Sequence, residues 1–519
     1  MADRAQPVSG AAGVGAAAFV AALILGTLAA VALRAEPGKG LGPADWQALR
    51  FTLMQAALSA VFSVALAVPV ARALARRRFP GRAALITLLG APFILPVIVA
   101  VLGLLAVFGR AGWVSQALGA VGLEPLRIYG LHGVVLAHVF FNLPLATRLI
   151  LQGWQEIPAE RFRLAAQLGA GPGAIWRLLE RPMLARVAPG ALAVVFAICL
   201  SSFAVALTLG GGPRATTVEL AIYQAFHFDF DLGRAALLSC IQIALTVIAA
   251  SLALRARPGG GFGAGLDRPV QRWDANTTGL RLLDTGAIAL AALFLLLPLA
   301  AIALSGLPGL PQLPLSVFRA AATSVLIALG STAILLLLAV PMAATVALAR
   351  HALWVELAGL LGLAVSPLVI GIGLFVVIYP LADPFALALP VTALVNAVMA
   401  LPFALRILVP RAQAVIGDYG RLGASLNMGG GPFLRLVLLP RMRAQIGFAA
   451  GLGAALSMGD LGVIALFADT EVATLPLQIY RLMGAYRMEA AAGAALLLLV
   501  LSMLAFWIFD RGGRWHAEA

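Results

Sequence analysis

A chain of 519 residues with 62% hydrophobic and only 11% charged side chains has too little polar surface to cover a water-soluble globule, for which about a quarter charged is usual. The composition excludes a soluble enzyme or binding domain and leaves an integral membrane protein. The formal net charge of +14 invites a nucleic-acid reading, but the arginines are spread over several loops, so no nucleic-acid partner is expected and charge is first sorted by side of the membrane.

In chain order, apolar runs long enough to span at ~20 residues each occur at Ala11–Leu33, Phe51–Ala71, Ala83–Gly109, Gly133–Ile150, Val187–Leu209 and Ala235–Leu254. Six more follow at Thr285–Ser305, Ala320–Ala349, Leu357–Leu381, Phe385–Leu405, Ala444–Phe467 and Ala490–Phe509. This predicts an all-α polytopic protein of about 12 transmembrane helices. The first run is too long for a signal-peptide core and has no convincing cleavage site, so it is expected to stay as a helix. Basic residues cluster at Arg76-Arg77-Arg78, Arg161–Arg186, Arg255–Arg281, Arg411–Arg443 and Arg511–Arg514. With this assignment roughly 26 of the 36 lysines and arginines fall on one side, which the positive-inside rule makes cytoplasmic, together with both termini.

Between the fourth and fifth runs stands "RLAAQLGAGPGAIWRLLERP", Arg163–Pro182, and "RLGASLNMGGGPFLRLVLLP", Arg421–Pro440, repeats it in the second half. About nine of the twenty positions are identical, where chance in this composition gives two or three. Aligning Pro182 with Pro440 also aligns Leu143-Pro144 with Leu401-Pro402 and Arg148 with Arg406. "TTVELAIYQ" at 216–224 likewise resembles "TLPLQIYR" at 474–481. The chain is expected to be a tandem duplication. Residues 1–255 form the first six-helix half with a polar loop at 153–186, and residues 282–519 the second with its loop at 409–443. A flexible glycine-rich cytoplasmic linker at 256–281 joins them. Six spans per half place both halves in one orientation.

Each polar loop reads as helix, turn, helix. Ala165, Ala166 and Leu168 favour a short helix that Gly171-Pro172-Gly173 breaks, and in the second copy Asp418 is the expected cap before Leu422, Leu426 and the Gly429-Gly430-Gly431-Pro432 break. On residues alone two uses stand side by side. The loop is either a rigid bracket that transmits force to a soluble partner, or an amphipathic stretch lying on anionic lipid.

The loops resemble the cytoplasmic EAA loop of binding-protein-dependent ABC importer permeases, whose pattern is Glu-Ala-Ala, three residues, Gly, then nine residues before Ile-x-Leu-Pro. Here Arg163-Leu164-Ala165, Gly169, Leu179 and Pro182 occupy those places in one copy, and Arg421-Leu422-Gly423, Asn427, Val437 and Pro440 in the other. The glutamate is arginine twice and the glycine is asparagine once. The resemblance implies a type I importer permease in which Arg163, Leu164, Ala165, Ala166, Gly169 and Gly171, with Arg421, Leu422, Gly423, Ala424, Asn427 and Gly429, seat two copies of a cytoplasmic ABC ATPase. Small residues there let the backbone approach that partner, and Asn427 tolerates the left-handed backbone that glycine would supply. The passage Ser457–Leu498 resembles the thiamine and thiamine diphosphate importer permeases. That implies thiamine as cargo, a periplasmic binding protein as donor and a bacterial inner-membrane location, with a ferric-iron or other small-nutrient importer as the alternative.

No phosphate loop is present, and Lys39, the one lysine, lacks a following Ser or Thr, so ATP and Mg2+ are expected on the partner ATPase and no catalysis, cofactor or metal on this chain. A twelve-helix secondary transporter is the rival class; it would bury several ionisable relays, whereas these spans hold little beyond His138 and Asp460. Asp460 in "SMGDLGVI" is either a pathway-lining anion or a cap on backbone broken around Gly459 and Gly462. Ser457 accompanies it, and the duplicate site, Ser201-Ser202-Phe203, has no acid. Tyr223 and Tyr480 occupy equivalent places and are expected at the periplasmic interface. His132 and His138 are expected to serve helix packing, and Cys199 and Cys240 to be buried thiols.

Overall fold

A computed structural model describes residues 10–36, 40–89, 94–255, 272–274, 276–348, 352–468 and 472–515. Among the described residues there are helices and no strands. Among these residues eleven helices are long and apolar enough to cross a membrane, twelve if one bent pair is counted as a single span. The chain is an all-α, multi-pass membrane protein. The glycine run of the expected linker lies outside the described residues.

The first half comprises α1 (Ala11–Arg34), α2 (Pro43–Arg76), α3 (Arg82–Leu88), α4 (Val97–Phe108), α5 (Trp113–Ala120), α6 (Leu131–Gln155), α7 (Ala159–Gln167), α8 (Pro172–Leu200), α9 (Ala204–Leu209), α10 (Val218–His227) and α11 (Leu232–Arg255). The second comprises α12 (Thr278–Gly309), α13 (Leu315–Leu348), α14 (Leu353–Leu363), α15 (Pro367–Ile378), α16 (Ala388–Ser425), α17 (430–458), α18 (Gly462–Phe467), α19 (Leu475–Gly484) and α20 (Met488–Arg514). From α2 and α13 onward the two lists correspond almost element for element, as a duplication requires.

The apolar runs locate most of the spans, although the third, expected over Ala83–Gly109, runs instead over Val97–Ala120; proline and serine decide where the spans break. The ninth expected span, Leu357–Leu381, is divided: α14 and α15 meet at 98°. Pro367 has no N–H to continue a helix and disfavours helical backbone at Ser366, whose hydroxyl instead accepts a 3.1 Å bond from the Leu368 N–H. Pro96 starts α4 at the matching place. The fifth and eleventh spans also stop short of the expected ends. α8 closes at Leu200 and α17 at Met458, and short helices restart at Ala204 and Gly462.

The two sequence halves are not two separate bundles. α1 packs against α13, α14 and α15 of the second half, while α12 packs against α2 and α4 of the first. Each half lends its first helix to the other, and small residues make the exchange close. A Cβ on Gly13 would lie 2.4 Å from the Pro341 carbonyl oxygen, one on Gly373 would lie 2.6 Å from the Thr27 carbonyl oxygen, and one on Gly103 would lie 2.5 Å from the Pro298 carbonyl oxygen. Within the second half, Gly447 and Gly513 bring α17 and α20 together in the same way.

The exchange gives a prediction. Gly103→Val, which pushes a branched side chain into the α12 backbone, is expected to destabilise the protein by about 1–3 kcal/mol. Gly15→Val, where an added Cβ meets nothing within 4 Å, is its silent control. Thermal unfolding midpoints in detergent check the pair.

Candidate functional site

Both duplicated loops fold into brackets at one end of the bundle, and the same turn chemistry shapes both. In the first, α7 ends with Gly169 at φ +66°, the Gly169 N–H donating to the Ala166 carbonyl (2.9 Å) and the Ala170 N–H to the Ala165 carbonyl (2.9 Å). In the second, Asn427 takes φ +50°, the Asn427 N–H donates to Ala424 (3.1 Å) and the Met428 N–H to Gly423 (2.9 Å). Both are Schellman turns, and Asn427 adopts the left-handed backbone expected of it. Gly171 and Gly429 then cap the next helix in each copy. Each of these following helices opens with one α-helical turn and then takes one π-helical turn, at Trp176–Glu180 and Leu434–Leu438.

The brackets face outward alike. Leu164, Leu168 and Leu178 in the first and Leu422, Leu426 and Leu436 in the second are each more than half exposed, and they are equivalent positions of the repeat. Arg163 and Arg421, Gly171 and Gly429, and Ala424 are exposed beside them, while Ala165 and Ala166 are half-buried. Gly423 departs from the expected role of meeting a partner. It is buried, and a Cβ there would come within 2.7 Å of the Phe433 ring, so its size serves packing inside the bracket. Asp418 is not a cap but lies inside α16, which runs unbroken from the membrane into the bracket. The first copy breaks between Gln155 and Ala159 because Pro158 stands where the second has Ile416.

Beneath the first bracket lies an ionic hub that sequence reading missed. Glu180, fully buried, accepts from Arg72 (2.6 and 2.8 Å), Arg272 (3.0 Å) and the Trp154 indole N–H (3.3 Å), and lies 3.5 Å from Arg76. Arg272, on the linker, grips Asp274 through two 2.7 Å bonds and lies 4.5 Å above the Phe162 ring. Asp284 on α12 binds Arg77 (2.7 Å) and faces Arg76 (3.7 Å). One cluster thus joins α2, α8, the linker and the second half's first helix. The Asp274 carboxyl is buried, which opposes ionisation, but the Arg272 hydrogen bonds and charge outweigh this and hold it below the usual aspartate range. The available signal was that Glu180 is charged where its repeat partner, Leu438, is apolar and equally buried.

The remaining candidates gather where α8 and α17 break. Gln55 donates to the Cys199 carbonyl (2.8 Å) and Gln242 to that of Leu200 (3.1 Å), while His138 bridges Ser59 (3.2 Å) and Ser202 (2.6 Å). His138 therefore belongs to this network; His132 instead bonds the Arg127 carbonyl, and the two histidines share no site. At the second break Asn396 donates to Ser457 (3.1 Å), in the place of His138 in the repeat. Asp460 Oδ1 accepts from the Gly462 N–H (3.1 Å), the capping role considered for it, while Oδ2 is buried without a partner. Ser201 and Ser202 are half-buried, as is Asp460. At the end opposite the brackets, Tyr223 lies within electrostatic reach of Tyr480 and Arg481, so the duplicated tyrosines sit at the same end of the molecule.

No protein-family model matches the chain. It is 41% identical over 531 aligned residues to the thiamine transport system permease protein ThiP of Brucella abortus (strain 2308), covering 99% of this chain and 96% of that protein. It is 38% identical over 482 residues to ThiP of Escherichia coli (strain K12), covering 90% and 89%. A shorter match, 32% over 208 residues, covers 40% of this chain and 78% of the molybdenum transport system permease protein ModB of Mycobacterium bovis.

Two expectations follow from this geometry. Glu180→Leu removes the acid shared by the buried Arg76 and Arg272 and the half-buried Arg72, and is expected to cost about 3–5 kcal/mol of stability. Asp274→Asn tests the same hub by pH. Because the folded-state pKa is lowered, its contribution is present above the unfolded value of about 3.9 and is lost as pH falls through the folded one. Wild type should melt above Asp274→Asn at neutral pH, and the two curves should converge in acid. At the second turn, Asn427→Val is expected to cost about 1–2 kcal/mol, whereas Asn427→Gly keeps the left-handed backbone without that cost, by the same melting assay.

Proposed function

The chain belongs to the family of thiamine transport system permease proteins, and from that premise we propose that it is the membrane-spanning subunit of an ATP-driven importer of thiamine and thiamine phosphates. It lies in the bacterial inner membrane with both termini cytoplasmic. A periplasmic binding protein delivers the cargo. Two copies of a cytoplasmic ABC ATPase, which bind ATP and Mg2+, dock on the two brackets.

The matched brackets carry this reading. Two equivalent surfaces, each with three exposed leucines beside an exposed arginine, suit two copies of one soluble partner better than they suit lipid, where a bundle already in the bilayer needs no duplicated interfacial anchor. The rigid turns that set each bracket's angle, at Gly169 and Asn427, favour force transmission over a loose surface loop. The ionic hub adds a path for that force, because the first bracket's helix shares buried charges with the linker and with α12 of the other half. ATP binding at the brackets would rock the two halves between outward- and inward-facing states.

In proteoliposomes holding the permease, its ATPase and its binding protein, thiamine uptake is expected to require ATP and to proceed without a proton gradient. Replacing Leu164 and Leu168, or Leu422 and Leu426, by Asp should cut copurification of the ATPase at least fivefold. Uptake driven by a proton gradient alone would overturn the reading.

A further inference from the structure

At the end opposite the brackets, a run of aromatic rings belongs to the first half alone. Phe228, exposed, packs edge-on to His227 (5.1 Å between centroids) and Tyr223 (5.9 Å). His227 stacks on Tyr223 at 5.1 Å, and Tyr223 meets Phe203 at 5.2 Å. Phe203 ends the break after α8. A Cβ built on Gly462 would lie 3.8 Å from Phe203 Cδ1 and 3.8 Å from Asp460 Oδ1, so the last ring and the acid converge on one point between the halves. The rings are in contact from the exposed Phe228 to Phe203, and the Phe203 edge and the Asp460 carboxylate flank the same point beside Gly462.

The repeat sharpens this. Where the first half has Phe203, His227 and Phe228, the second has Leu461, Gly484 and Ala485; where the second has Asp460, the first has Ser202. The first half adds three rings to the tyrosine that both copies share, and of the two breaks only the second carries an acid. Aromatic faces attract cations, and most strongly where water is excluded. A buried carboxylate is costly in a membrane unless it faces protein or a cavity and finds a counter-charge. A hard metal cation would need several oxygen ligands, which rings do not supply.

We propose that Phe228, His227, Tyr223 and Phe203 form a track for an aromatic cation, and that Asp460 is the counter-charge at its inner end. The two halves thus build one selective route jointly. This rests on the thiamine reading, since thiamine joins a cationic thiazolium to an aminopyrimidine ring. Phe203 and Tyr223 are buried as packed, so passage requires the halves to part at this end.

The test is thiamine delivered per ATP hydrolysed, in proteoliposomes holding the full complex with loaded binding protein. A defect confined to assembly lowers both quantities together; a defect in the route lowers their ratio. Phe203→Leu and Asp460→Asn are each expected to lower the ratio fivefold or more, and Phe203→Tyr to stay within twofold of wild type. Gly462→Ala, which sets a methyl at the convergence point at ordinary contact distance, is expected to lower it at least twofold in a complex of normal size, and decides the matter should Phe203→Leu fail to assemble. Wild-type ratios in the leucine, asparagine and alanine variants, or a Phe203→Tyr as poor as Phe203→Leu, overturn this inference alone. Absence of thiamine uptake by the wild-type complex overturns the substrate reading and this inference with it.

Discussion

A helix that stops inside hydrocarbon leaves backbone groups that no water reaches, and much of this structure follows from how two such stops are satisfied. α8 ends at Leu200 and α17 at Met458, at equivalent points of the repeat. The first stop is served from a distance: Gln55 on α2 and Gln242 on α11 reach the carbonyls of Cys199 and Leu200. The second is served locally: the Gly459 and Asp460 N–H groups donate to the Ala455 and Ser457 carbonyls, and the Asp460 carboxylate accepts from the Gly462 N–H that opens α18. Several polar residues of the spans thus converge on the breaks, while others, such as Thr52, Ser239, Thr332 and Thr392, bond a carbonyl of their own helix.

The brackets show the opposite pattern, alike outside and different inside. The exposed leucines and the left-handed turns match between copies, whereas the foundations do not. Glu180 answers to Leu438, Ile175 to Phe433, Ala165 to Gly423 and Pro158 to Ile416. Some of these differences compensate. A larger ring at Phe433 demands the missing Cβ at Gly423. Others are independent solutions, an ionic base under one bracket and an apolar one under the other. A surface that must fit the same partner twice is constrained residue by residue. Its support need only be rigid.

Periodicity and apolar length made the spans and the duplication legible, because both are local or self-referential properties of sequence. The turn at Asn427 was legible for the same reason: the conformational freedom of asparagine is its own. What escaped was long-range. Nothing in the run Ala11–Leu33 says that it packs on α13 to α15 rather than on its own half, since an apolar face fits many partners. Arg76 and Arg77 read as topology markers, and only the fold brings Asp284, some two hundred residues on, to meet them. The 98° bend at Ser366-Pro367 was a different kind of miss. Its residues announced a break, but hydropathy over Leu357–Leu381 hid it.

Covalent fusion explains why such divergence is sustainable. Two identical subunits meeting on a two-fold axis must place any residue on both sides. An acid beside the axis would then face its copy, with the like-charge penalty that implies. Joined in one chain, the copies are free to differ, and here Asp460 opposes Ser202 and Phe203 opposes Leu461. The cost of freedom is that the halves must stay in register without symmetry to enforce it. The helices α1 and α12 supply that registration, each packed against helices of the other half as well as its own, and Asp284 fixes α12 to Arg76 and Arg77 at the bracket end. The fused chain can therefore carry an acid at one break and a serine at the other, because its periphery is bound together on both sides.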